Sequence, residues 1–344
     1  MRYIFELNHP KHYYQFKIVM QELQRRGHEV LVLARDKDVL LNVLKEENVQ
    51  YEIFGVHKNN ILGKLFSSGS IFWNYRKIIK RTNLDIIVSK ASLYGTLTAK
   101  MSGIKSIIFP DSEVVPLTNK IVAPLASLII TPEPFTLDYG EKHRRIKGIF
   151  EDCYLAPSIL TIDSSAPEKL GLEEPYAILR FVGWSANHDI NNNGFTDNQK
   201  STLADALSRH LKVYISSEKP MPEDLQKYKL SIPKSKIHDV LAGAALYVGD
   251  SQTMATEAAL LGTPSIRSNS FVGDNDMSNF VMLENKYHLL YNVKDFDHVM
   301  GLALDLAIHS KKEEWKQKRL SYYQNVGNPN AEICDLIESE LSFK

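Results

Sequence analysis

The stretch from Ala244 to Arg267, AALYVGDSQTMATEAALLGTPSIR, decides how the rest of the chain is read. Ala244 to Val248 is a short apolar run closed by Gly249. From Thr253 the apolar residues Met254, Ala258, Leu260 and Leu261 recur near helical spacing, so the order is strand, turn, helix. Gly262-Thr263-Pro264 ends that helix, because glycine accepts the left-handed cap and proline cannot continue the spiral. A second short strand, Ser265 to Arg267, follows at once. The turn Gly249-Asp250-Ser251-Gln252-Thr253 is small and polar, and it brings backbone N–H groups and two hydroxyls to a helix N-terminus, a place suited to an anion. Glu257 follows Ser251 by six residues and Thr253 by four, about one turn into the helix on the same side. A carboxylate there repels phosphate but accepts hydrogen bonds from ribose hydroxyls. The spacing therefore suits a nucleoside diphosphate held by Ser251, Gln252, Thr253 and Glu257. The same residues also fit a helix that Asp250 or Ser251 merely caps, with Glu257 complementing its dipole.

Ser251, Glu257, Leu261, Gly262 and Pro264 resemble the donor-binding strand-turn-helix of GT-B glycosyltransferases and of UDP-sugar 2-epimerases, in which a serine is followed by a glutamate six positions on and a Leu-Gly-x-Pro closure. Gln252 and Thr253 stand where those families prefer glycine. Earlier in the chain, Ser89-Lys90-Ala91-Ser92 replaces the glycine-aspartate loop of the epimerases, so a carboxylate of the epimerase chemistry is missing. Asp111 and Glu113 remain at the next strand end. Asn8-His9-Pro10-Lys11-His12, Pro110 to Glu113, Thr131-Pro132-Glu133 and the Gly249 to Glu257 stretch together resemble an uncharacterised family of GT-B-like proteins, a domain of unknown function, over nearly the whole chain. The resemblance implies an α/β fold of the GT-B type, two Rossmann-like parallel-sheet domains facing a cleft that holds the active site.

The bulk of the chain agrees with two domains. Its 344 residues suffice for two cores, and 44% apolar with 24% charged residues is a globular composition. Cys153 and Cys334 are far apart and lack metal-ligand spacing, which fits a reducing compartment and argues against structural zinc or a disulfide framework. No signal peptide is visible and no run is long enough to span a bilayer, so a cytoplasmic protein is expected. The net charge of zero hides an asymmetry: residues 1–150 hold 22 Lys+Arg against 14 Asp+Glu, and the remainder 19 against 27. Nine bases face the single acid Asp85 between Val56 and Lys105, so an anionic partner is expected on the first half only.

Along the chain, Arg2 to Leu7 reads as a strand, Phe16 to Arg26 as a helix, Val30 to Ala34 as a strand and Val39 to Glu47 as a helix. This alternation predicts a parallel doubly wound sheet with functional loops at the carboxyl ends of its strands. Ile61 to Arg81 is amphipathic, aromatic and basic; it fits a core-facing helix with a solvated basic face, or a peripheral contact with anionic lipid. Asp85 to Ser89, Ile104 to Phe109 and Leu128 to Thr131 read as strands, with helices at Leu93 to Met101 and Leu117 to Pro124. The expected domains are 1–160 on the acceptor side and 161–330 on the donor side, with 331–344 a helix crossing back. In the second, Tyr176 to Val182 and Val213 to Ser216 read as strands, Leu203 to His210 and Ile237 to Gly243 as helices, and everything after Tyr291 as helical.

Three sets of side chains could carry chemistry. Arg180, at a strand end, suits the donor pyrophosphate, since a guanidinium can hold two phosphate oxygens in place of a metal. His188 in the following loop could donate a proton to the departing phosphate. Inverting transfer also needs a base for the acceptor hydroxyl, and His12 and Asp111 are the candidates by position. Each of these also fits an ordinary role, as a surface charge, a cap or a loop residue. Asp274 and Asp276 resemble a metal pair only faintly, and no metal ligand and no cofactor are assigned. The expected function is metal-independent transfer of a sugar from a nucleotide diphosphate donor, a UDP-sugar, to a glycan or lipid-linked acceptor. A UDP-sugar 2-epimerase or hydrolase, and a non-catalytic sugar-nucleotide-binding protein, are the alternatives.

Overall fold

A computed structural model describes residues 1–36, 38–56, 61–113, 115, 118–183, 194–274 and 276–342. The chain forms two compact units, Met1–Tyr154 with Asn328–Lys344, and Leu155–Gly327. Among the described residues the first holds seven strands: β1 (Arg2–Leu7), β2 (Glu29–Asp36), β3 (Glu52–Val56), β4 (Ile86–Ser89), β5 (Lys105–Ile108), β6 (Leu128–Pro132) and β7 (His143–Ile146). Their order is β3-β2-β1-β4-β5-β6-β7 and every neighbouring pair is parallel. A parallel sheet must bury both faces, and β1 shows how the sequence meets that demand. Tyr3, Phe5 and Leu7 turn to one face, against the helices Pro10–Arg25 and Pro329–Ser342, while Ile4 turns to the other, against Ile61–Thr82. Each such side chain contributes roughly 1.5–3 kcal/mol of burial. Cys153 and Cys334 sit in the first of these cores, and burial pushes both thiols up from their ordinary pKa.

The first helix begins at Pro10, well ahead of the expected Phe16. His9 is extended and its Nδ1 accepts the Lys11 N–H at 3.2 Å, and proline follows where a helix has no use for an N–H. The expected helix Leu117 to Pro124 is instead a wide turn, Thr118–Val122, running into a single turn, Ala123–Leu125.

The second unit has β8 (Tyr176–Phe181), β9 (Lys212–Ser217), β10 (Leu246–Gly249), β11 (Ser265–Arg267) and β12 (Tyr291–Asn292), all parallel, in the order β12-β11-β10-β8-β9. Here the helix expected at Leu203 to His210 spans Asp197–Leu207, because Thr196 and Gln199 close a reciprocal capping box. After β12 every remaining element is a helix, as expected: Phe296–His309, Lys312–Val326 and Pro329–Ser342.

Each sheet has one pair of neighbours whose onward connections run to opposite sides. In the first unit this pair is β1 and β4, in the second β8 and β10. Loops diverge at such a pair and leave a crevice at the carboxyl ends of the strands, which is where open α/β sheets bind ligands.

Candidate functional site

At the second unit's switch point, β10 ends in Gly249. A Cβ there would lie 2.6 Å from the Arg180 carbonyl oxygen and 2.6 Å from the Tyr247 hydroxyl, so only glycine allows β8 and β10 to approach. Asp250 is 1% exposed; its carboxylate accepts the Val182 N–H at 2.8 Å and its carbonyl accepts from Asn269 Nδ2 at 3.0 Å. Asp250 therefore ties together the exits of β8, β10 and β11. Ser251 caps the helix Gln252–Leu260, its Oγ accepting the Met254 N–H at 3.3 Å. The amides of Gln252 and Thr253 have no helical carbonyl to serve them and open the helix. Glu257 lies one turn further in with its side chain 12% exposed, and its Oε1 is 3.5 Å from His238 Nε2 on the helix Ile237–Gly243. His238 was not singled out from sequence. The signal was present in a histidine at the second position of a short helix, but its meeting with Glu257 depends on how two helices pack.

Arg180 is already engaged. Its Nη1 donates to Ser216 Oγ at 2.8 Å and its Nη2 to Glu218 Oε1 at 2.5 Å, while Glu218 Oε2 accepts the Gly183 N–H at 3.0 Å. A phosphate reaching the guanidinium would have to take the place of Glu218. His188 lies outside the described residues. Asp276 holds Arg267 with both oxygens at 2.8 Å, and the guanidinium stacks 3.6 Å from the Phe280 ring centroid. This carboxylate thus anchors its loop to β11, and the faint likeness to a metal pair with Asp274 is lost. Among the described residues no group of three or more histidine, cysteine or acidic side chains is placed to hold a metal ion.

The first unit's switch point gathers residues from three strand exits. His12 Nδ1 accepts the Asn8 N–H at 3.2 Å. The neutral ring therefore carries its proton on Nε2, and burial, with Lys90 adding to it, pushes its pKa down to about 3. In that state His12 presents a hydrogen-bond donor at Nε2. Lys90 follows β4 with its side chain 4% exposed; its Nζ lies 3.4 Å from Asp111 Oδ2, outside hydrogen-bond geometry, and 3.9 Å from the Phe150 ring centroid. Burial pushes its pKa down to about 8, against the pull of Asp111, and Lys11 adds to the depression. Lys11 Nζ sits 2.8 Å from Glu151 Oε1 and 4.0 Å from the same Asp111 oxygen. Crowding of the Asp111 carboxyl opposes its charge, but the ammoniums of Lys90 and Lys11 outweigh this and hold it well below the usual carboxylate range. Beneath the group, Glu6 is 2% exposed and accepts hydrogen bonds from the Tyr75 hydroxyl and from Asn8 Nδ2, the latter at 2.8 Å; burial raises its pKa. Glu113 accepts the Thr136 N–H at 3.4 Å, and Glu133 is exposed.

The turn that presents Lys90 is strained. Ala91 has φ of 60°, the left-handed region that costs a non-glycine residue on the order of 1–2 kcal/mol. Ser89 Oγ, accepting the Ser92 N–H at 3.1 Å, and Ser92 Oγ, accepting the Gly95 N–H at 3.1 Å, hold the turn on either side of it. Ala91→Gly is expected to raise stability by about 0.5–1 kcal/mol once the greater freedom of glycine in the unfolded chain is subtracted. Urea unfolding measures it, and a loss of stability there would show that the turn is not strained.

Comparison with solved structures agrees with this architecture. The chain superposes on the S. aureus MnaA–UDP co-structure with a TM-score of 0.68 at 12% identity, covering 100% of this chain and 97% of that one. UDP-GlcNAc 2-epimerase from Neisseria meningitidis bound to UDP-GlcNAc gives 0.66 at 12%, covering 100% of each chain. The spinosyn forosaminyltransferase SpnP gives 0.65 at 14%, covering 99% of each. At these identities the likeness establishes the fold: α/β, of the GT-B type, with two Rossmann-like units. No curated protein matches the sequence. Residues 3–324 match the family described as protein of unknown function (DUF354), and the chain belongs to that family.

Proposed function

We propose that the second unit binds a nucleoside diphosphate-sugar, a UDP-sugar, and that the protein transfers the sugar to a hydroxyl of a glycan or lipid-linked acceptor without a metal. One observation carries the reading: the helix Gln252–Leu260 opens at the β8/β10 switch point with Ser251 as its cap and Glu257 one turn in. Its first amides suit the diphosphate and Glu257 suits the ribose hydroxyls. Arg180, by exchanging Glu218 for phosphate, and His188 would offset the charge of the leaving diphosphate. In the first unit Lys90, as the neutral amine beside Asp111, takes the proton of the acceptor hydroxyl. The acceptor oxygen bonds to the anomeric carbon, the bond from that carbon to the diphosphate oxygen breaks, and UDP leaves. His12 donates from Nε2 to the acceptor. The reaction belongs to polysaccharide assembly in this reading.

Epimerisation at C2 is the second reading, favoured by the superposition on an epimerase bound to UDP-GlcNAc. Incubation with a panel of UDP-sugars and a glycan acceptor separates the two. Transfer releases UDP and glycosylates the acceptor, hydrolysis releases UDP and leaves the acceptor unchanged, epimerisation gives an isomeric UDP-sugar, and binding with none of these products leaves a sugar-nucleotide sensor.

A further inference from the structure

We propose that the outer surface of the helices Ile61–Thr82 and Leu93–Ser102 and the turn Thr118–Val122 docks on a bilayer of anionic lipid. The proposal does not rest on the donor reading. In Ile61–Thr82, Ile71, Tyr75, Ile78 and Ile79 are buried, while Trp73, Lys77 and Lys80 form an exposed stripe at i, i+4 and i+7. Trp73 is 74% exposed, an unusual position for the largest apolar side chain. On Leu93–Ser102 the exposed positions are Leu97, Lys100 and Met101, with Met101 54% exposed. The turn Thr118–Val122 shows Lys120 and Ile121, the latter 48% exposed.

All three elements cover one face of the first sheet. Ile87, which packs under the two helices, pairs with Ser106, and Ser89, two residues on and on the same side, pairs with Ile108, which packs under Val122. Their outward residues therefore share one surface. No aspartate or glutamate occurs in any of the three elements, against seven lysines and arginines. Among the bases, Arg81 is tied to Glu52 at 2.5 Å.

Bases alone would suit any polyanion. The outward apolar side chains decide between partners, since a phosphate backbone offers nothing to Leu97, Met101 or Ile121. A bilayer surface offers both an anionic layer for the lysines and, just beneath it, the acyl boundary where tryptophan and aliphatic side chains settle. Among the described residues no helix is long and apolar enough to cross the membrane, so the contact is peripheral.

Flotation on a density gradient tests this, with vesicles of phosphatidylcholine containing phosphatidylglycerol against phosphatidylcholine alone. The protein is expected to float with the anionic vesicles and to stay at the bottom with the neutral ones, and high salt should weaken binding. Lys77→Glu/Lys80→Glu should lower lipid affinity by at least about tenfold, and Trp73→Ser/Met101→Ser should lower it comparably. An unchanged thermal midpoint confirms that each variant is folded. Absence of flotation by the unmodified protein, or unchanged affinity in either folded pair, overturns the proposal. So does binding to a DNA oligomer that depends on the lysine pair without any binding to vesicles. UDP is not in the assay, so failure of the donor reading leaves its outcome untouched.

Discussion

Lys90→Met is expected to leave a protein that is more stable at pH 7 yet turns over a UDP-sugar at least about a hundredfold more slowly, the scale of a lost proton acceptor. The stability gain follows from the buried ammonium. Its pKa falls from 10.5 in the unfolded chain to about 8 in the fold, so the fold disfavours its charge. Proton linkage sets the sign: the unfolded chain binds the Lys90 proton more tightly than the fold does, so below pH 8 the penalty is complete. As pH rises from 8 through 10.5 the penalty fades, because both states are then neutral. The shift bounds the penalty at about 3 kcal/mol, and loss of the Asp111 partner trims the net gain of the methionine variant to about 1–2 kcal/mol. Urea unfolding at pH 7 and pH 11 should therefore show a gain at the first and none at the second. Turnover of the unmodified protein should rise with its midpoint near pH 8 and level off only above that, as the amine loses its proton. A methionine variant that is less stable at pH 7, or one that turns over normally, would remove Lys90 from the role given to it.

Glu257→Ala is expected to weaken UDP binding by about 10–100-fold, the worth of roughly 1.5–3 kcal/mol for charge-assisted hydrogen bonds to the ribose. Titration calorimetry with UDP and with 2′-deoxy-UDP isolates the contact. The unmodified protein should prefer UDP, and Glu257→Ala should lose most of that preference. A drop in affinity that is equal for both ligands would mean that the mutation acts through His238, 3.5 Å away, or through the helix itself. Ser251→Ala gives the contrast. Its hydroxyl already accepts the Met254 N–H, so its removal should cost about 1 kcal/mol of stability, with a smaller effect on UDP. If neither variant changes UDP affinity, the pocket is elsewhere.

Parallel strands, their helices and the Gly249 to Glu257 turn were legible in the sequence because each depends on residues within a few positions of one another. Apolar period, a glycine where two strands crowd and a serine at a helix start are local matters. Helix starts were harder. Pro10 and Thr196 both mark one, but the apolar pattern that suggested Phe16 and Leu203 begins only where the helix meets its core, a turn or more later. Strand β7, with His143, Arg144 and Arg145, looks like no strand because it lies at the sheet edge, where polar side chains are tolerated.

Composition and local pattern by themselves determined that this chain folds into parallel α/β units and opens a late helix on a polar turn. Tertiary structure alone decided what the charged residues there do. Lys90 reads in sequence as a missing carboxylate; packing of β4 beside β5 puts it next to Asp111 and over Phe150, and burial then shifts its pKa. Arg180 reads as a free cation until Glu218, from the exit of β9, meets it, and His12 reads as a base until the Asn8 amide occupies its Nδ1. Spacing sets which side chains share a face, but the charge, tautomer and partner of each depend on groups that only the fold brings near.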